Sequence, residues 1–197
     1  MRRAVIILAL MTAYALTATP ASAQVQQHDW FLNAGIGPSF GTLGSAPVAA
    51  ASAGYKLNDY VSIGGEFGAL PHVPFDKAAS VSPSVSPFVP SADVHVNAYH
   101  TNANLFVQAS PWGRLAPYAT IGFGAFTGST VANAPFGNSR LTQYDRVTNP
   151  AENLGVGATY RLTKWFGVNA DYRHFIVNAK ETQHVNRFAT GVSVFIR

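Results

Sequence analysis

Five charged side chains stand out first, because they recur at alternate positions in stretches otherwise built from small residues. Glu66 follows Ser62 and Gly64; Arg161 follows Gly155, Gly157 and Thr159; Asp171 and Arg173 follow Gly167 and Asn169; Arg187 leads into Ala189, Gly191 and Ser193. A period of two sends side chains to one face of a β-strand, so each charge shares its face with glycine, serine, threonine or asparagine. Two acids and three bases on such faces suit either mutual ion pairing or an ion path with a gate. The expected role is structural pairing of Glu66, Arg161, Asp171, Arg173 and Arg187, because about eight strands enclose a space that their own side chains fill. Unpaired charges buried there would cost several kcal/mol each.

Other reactive patterns are incomplete. The chain has no cysteine, which removes thiolate chemistry and disulfides. Its six histidines, at 28, 72, 95, 100, 174 and 184, show no close ligand spacing, and a metal centre needs three or four convergent ligands. His95 and His100 are expected as solvated residues near a rim. Gly35-Ile36-Gly37 and Gly122-Phe123-Gly124 are not dinucleotide fingerprints, since no helix follows either to supply a phosphate-binding N-terminus. No catalytic, cofactor or metal site is therefore expected.

The elements that must position the five charges follow from composition. Charged residues make up 11% of the chain, against about 25% in an ordinary soluble domain. Met1-Arg2-Arg3, the apolar run Ala4 to Leu16 and Ala21-Ser22-Ala23 have the order of a secretory signal, with cleavage expected after Ala23. The apolar run is shorter than the roughly 20 residues that cross a bilayer as a helix. Residues 24–197 then form one domain. Two of the 13 basic residues leave with the signal, and the remainder are scattered, which argues against a nucleic-acid partner.

Eight segments alternate apolar with small or polar residues: Trp30 to about Phe40, Val48 to Leu57, Tyr60 to Ala69, Val94 to Gln108, Tyr118 to Ala125, Asn153 to Leu162, Phe166 to Arg173 and Arg187 to Ile196. Links after the second, fourth and sixth are short, around Asn58-Asp59, Pro111 to Arg114 and Thr163-Lys164. Pro71 to Asp93 and Gly128 to Pro150 read as long loops. Short turns at one end and long loops at the other predict an all-β, eight-stranded antiparallel up-and-down transmembrane β-barrel. On this topology Trp30, Trp112 and Trp165, with Tyr55 and Tyr60, mark the rim of the short turns as interfacial aromatics. A lipocalin-like soluble barrel would share the period with reversed faces. The polar face carries too few charges to be a water surface, so the apolar face is expected to meet lipid.

Tyr55-Lys56-Leu57-Asn58-Asp59-Tyr60, Pro117 to Gly124, Asn153 to Leu162 and the closing strand resemble the outer-membrane β-barrel domain proteins, the group of the OmpA transmembrane domain, OmpX and the opacity proteins. The resemblance spans Gln24 to Arg197. It implies a Gram-negative type outer membrane, lipid and lipopolysaccharide as surroundings, and the barrel-assembly machinery as a partner in insertion. One feature departs from the family: Ile196 holds the outward position where an aromatic residue is usual, Phe195 points inward and Arg197 ends the chain. Asp171 to Asn178 also has a faint likeness to a stretch of outer-membrane lipid A deacylases, but Ile176 and Val177 stand where a serine nucleophile is needed. The expected function is a structural or surface-interaction role, with the long Pro71–Asp93 and Gly128–Pro150 loops displayed to the exterior; a small porin and a lipid-modifying enzyme are the alternatives. Amino-terminal sequencing of the exported protein is expected to begin at Gln24.

Overall fold

The computed structural model describes residues 30–73, 93–109, 114–136 and 139–196. The leader, Trp112 and most of the Pro71–Asp93 link lie outside them. Eight strands follow in chain order: β1 (Trp30–Gly41), β2 (Ala46–Lys56), β3 (Val61–Leu70), β4 (Asp93–Gln108), β5 (Leu115–Phe136), β6 (Ser139–Arg161), β7 (Phe166–Val177) and β8 (Gln183–Ile196). Each pairs antiparallel with its sequence neighbours, and β1 pairs with β8 to close the barrel.

The register sets the dimensions. A walk straight across the ladders runs from Trp30 through Tyr55, Ile63, Leu105, Ile121, Leu154, His174 and Asn186, and returns to β1 at Phe40, ten residues further along. That stagger, with eight strands, corresponds to a strand tilt of roughly 40°. Side-chain hydrogen bonds hold the short turns. Asn58 Oδ1 accepts from the Tyr60 and Val61 amides at 2.8 Å each, and Thr163 Oγ1 accepts from Trp165 and Phe166 at 3.2 and 3.0 Å. These are the local contacts for which turn asparagine and threonine are selected.

Alternation decides the faces. Ile36, Phe123 and Val156 are 70%, 62% and 59% exposed on the outside, whereas Glu66, Asp171, Arg173 and Arg187 are all buried in the lumen. Two outward aromatic belts frame the apolar band. The lower contains Trp30, Tyr55, Tyr160, Trp165 and Phe166, with Trp30 and Tyr55 in ring contact at 5.1 Å. The upper contains Phe40, Phe67, Tyr99, Phe123, Tyr172 and Phe188, with Phe67 stacked on Tyr99.

Two expectations need correction. Gly128 to Pro150 is not a loop: β5 and β6 remain paired through it as far as Phe136↔Ser139, leaving only residues 137 and 138 as the link. Alternation there is weak because, above the bilayer, both faces of the hairpin leave hydrocarbon. The lumen is also not small and polar throughout. Its upper end is filled by Val48, Leu70, Val96, Phe126, Phe175, Val177 and Val185, capped by Leu43 from the β1–β2 turn, where Gly44 takes a positive φ of 88°. Outside that level the wall faces water, so apolar residues turn inward as in a soluble barrel.

Glycines on opposite faces should respond differently to a side chain. A β-carbon at inward Gly124 would collide with the Thr101 carbonyl oxygen, whereas at outward Gly65 the nearest heavy atom is 4.0 Å away. Gly124→Ala is expected to destabilise the barrel by roughly 1–3 kcal/mol. Gly65→Ala should stay within about 0.5 kcal/mol, both measured by urea unfolding in detergent micelles.

Candidate functional site: the charge layer of the lumen

Strands β3, β7 and β8 bring four of the five predicted charges together at mid-lumen. Arg173 and Arg187 are direct cross-strand partners, an arrangement in which like charges repel. The two acids bridge them. Arg187 Nη1 donates to Glu66 Oε1 at 2.8 Å, its Nη2 to Asp171 Oδ1 at 2.7 Å, and Arg173 reaches Glu66 through Nη2 at 3.1 Å and Asp171 through Nε at 3.0 Å. Two positive and two negative groups thus form a closed, neutral ring across the barrel. Paired guanidinium forks and carboxylates are the geometry in which such bonds are strongest.

Aromatic rings seal this layer above and below. The His100 ring lies 4.9 Å from Phe175 and 6.3 Å from Phe126, and the Arg187 guanidinium sits 5.6 Å over Phe175. Beneath, Arg173 lies 5.6 Å over Phe106, and Tyr118 donates its hydroxyl to Asp171 Oδ2 at 3.2 Å. Phe31, Phe106 and Phe195 then form a lower apolar cluster beside a cavity of about 50 Å³ lined partly by Lys56, Ser62 and Thr159. A space of that size holds little more than a water molecule or two.

Arg161 is not part of the ring. It stays near the lower rim with its guanidinium 4.7 Å over Phe195, because its strand position lies well below Asp171. His100, expected at a solvated rim, is instead 1% exposed beside the charges. Its Nε2 faces Arg187 Nη1 at 3.4 Å, and its Nδ1 faces the Asn102 amide at 2.9 Å and Glu66 Oε1 at 3.7 Å. Both ring nitrogens thus face donors, the Arg187 guanidinium and the Asn102 Nδ2, and a neutral imidazole accepts at only one of them. Its place on one strand face with Asn102, Asn104 and Phe106 is the sequence feature that points to an inward position. Among the interfacial aromatics, Trp30, Tyr55 and Tyr60 lie at the short-turn end with Trp165, while Trp112 is outside the described residues. The histidines hold one further surprise: β7 and β8 set His174 and His184 side by side on the outer face, with His184 Nδ1 3.2 Å from His174 Nε2.

A neutral, aromatic-sealed ring with no hydroxyl or thiol nucleophile among its members ties strands together across a lumen. The fold and this site define a closed eight-stranded barrel whose apolar surface is external and whose charges are internal. The chain belongs to the outer membrane protein beta-barrel domain family, whose profile matches residues 6–194. No curated protein matches it. Among solved structures, the fold is similar to a major outer membrane protein from Thermus thermophilus, at TM-score 0.63 and 11% identity, covering 87% of this chain and 100% of that one. It is also similar to Ail, the attachment invasion locus protein of Yersinia pestis, in complex with the heparin analogue sucrose octasulfate, at TM-score 0.59 and 14% identity, covering 87% and 100%. A third is OprG from Pseudomonas aeruginosa, at TM-score 0.52 and 9% identity, covering 86% and 96%.

Removing one member of a buried ring strands its partners. Arg187→Leu is expected to cost about 3–5 kcal/mol in urea unfolding. Arg161→Ala should cost under about 1 kcal/mol, the scale of a single cation–π contact.

Proposed function

We propose that this outer-membrane barrel is a surface-presenting scaffold rather than a pore or an enzyme. The carrying observation is the unequal height of its strands. Between Glu152, at the upper belt, and Ser139, β6 continues for 13 residues, roughly 40 Å of strand. β5 accompanies it throughout, and β4 pairs with β5 up to Asp93↔Asn133. β7 leaves β6 at Ala151↔Val177, so among the described residues the upper part of β6 is paired along one edge, with β5. An exposed strand edge is a ready template for an added strand, and main-chain pairing of that kind gives extracellular partners an attachment surface.

The porin reading is disfavoured by the lumen contents. The charge ring and the apolar clusters above and below it interrupt any continuous water path. A lipid-modifying activity lacks support because Asp171 and Arg173 are committed to ion pairs and the Asp171–Asn178 stretch has no nucleophile. Export by the 1–23 signal, insertion by the barrel-assembly machinery and contact with lipopolysaccharide in the outer leaflet complete this reading.

An epitope inserted between Gly137 and Asn138 should be labelled by antibody on intact cells without loss of heat-modifiable gel mobility. An epitope reachable only after permeabilisation would overturn surface presentation. In planar bilayers the purified barrel is expected to show no steady, large conductance; sustained channels would restore the porin reading.

A further inference from the structure

The strand register creates a side-chain chain on the outer wall that the lumen does not explain. Tyr172, His174 and Ile176 of β7 face outward beside His184, Asn186 and Phe188 of β8, rising from the upper aromatic belt to which Tyr172 and Phe188 belong. Asn186 Oδ1 accepts two hydrogen bonds, from the Tyr172 hydroxyl at 2.8 Å and from His174 Nδ1 at 2.8 Å. A carboxamide oxygen only accepts, so the His174 proton is fixed on Nδ1, and Nε2 of the neutral ring carries a lone pair. That lone pair points at His184 Nδ1, 3.2 Å away.

We propose that His174 and His184 form a surface site for a zinc-class divalent ion. Two nitrogens bound to one tetrahedral zinc at about 2.0–2.1 Å lie roughly 3.4 Å apart, close to the separation already present. The ring centroids are 5.3 Å apart, which two imidazoles on a single ion also require, so only ring rotation is needed. His184 keeps its proton by moving it from Nδ1 to Nε2, and no proton is lost overall. Asn186 and Tyr172 act as positioning residues, the outer hydrogen bonds that hold a ligating histidine in the correct tautomer. Glu152 stands in the same cross-strand row as Ile176 and His184, which puts one carboxylate on the same stretch of wall. The remaining ligand positions face the headgroup level, where water or a lipid phosphate oxygen completes the shell.

The test is calorimetric titration of zinc alone into the untagged barrel folded in detergent micelles. One ion per barrel is expected. His174→Ala and His184→Ala should each weaken binding at least tenfold, and Asn186→Ala, which removes no ligand, roughly tenfold to a hundredfold. His72→Ala should leave the affinity unchanged. Heat-modifiable mobility identifies any variant that fails to fold, and Asn186→Asp, which keeps an accepting oxygen, should restore binding lost in Asn186→Ala. Absence of saturable binding by the unaltered protein, or unchanged binding by the His174→Ala/His184→Ala double variant, would overturn the site.

Discussion

A chain that crosses hydrocarbon as β-strands must satisfy every backbone N–H and C=O without water, and closure of the ladder is the only way a sheet can do so. Everything else in this barrel follows from the narrowness that closure imposes. Eight strands with a ten-residue stagger leave an interior that side chains nearly fill. At levels where backbones crowd, only glycine fits on the inner face, as at Gly124 against the Thr101 carbonyl. Where room remains, the space is taken by asparagine pairs such as Asn153 with Asn104, or by the charge ring.

The ring solves a problem that the register creates. Arg173 and Arg187 stand opposite one another on neighbouring strands, and without acids between them they would push β7 and β8 apart. Asp171, two residues from Arg173, supplies one counter-charge locally. Glu66 supplies the other from across the lumen, so the electrostatic balance of one wall depends on the opposite wall. Phe175, Phe126, Phe106 and Tyr118 exclude water around the ring, which strengthens each ion pair and raises the cost of losing any partner.

Much of this was legible in the residues. Period-two alternation located all eight strands and the correct faces, because lipid on one side and a packed lumen on the other impose opposite demands at successive positions. The identity of the inward charges was legible for the same reason, but not their grouping. Alternation reports the face of a residue and says nothing about its height, so Arg161 could not be separated from Arg173 until the stagger was known. Height likewise sets His100 beside the charges rather than at a rim. The hairpin from Gly128 to Pro150 carries no clear period-two signal because the lipid that enforces the pattern is absent above the belts. The proximity of His174 and His184 required the β7–β8 register, which no spacing within either strand contains.

The seam between β1 and β8 carries a kinetic consequence. Trp30 and Ile196 are register partners at opposite ends of the described chain, 166 positions apart. The last ladder therefore cannot form until the final strand is available, and contacts between residues so distant in sequence slow folding. Until then β1 and β8 both expose unpaired edges alongside a greasy outer wall, the combination that drives strands to associate with the wrong partner. Safe passage of this protein thus depends on keeping two edges apart from other chains for the whole interval before they meet each other.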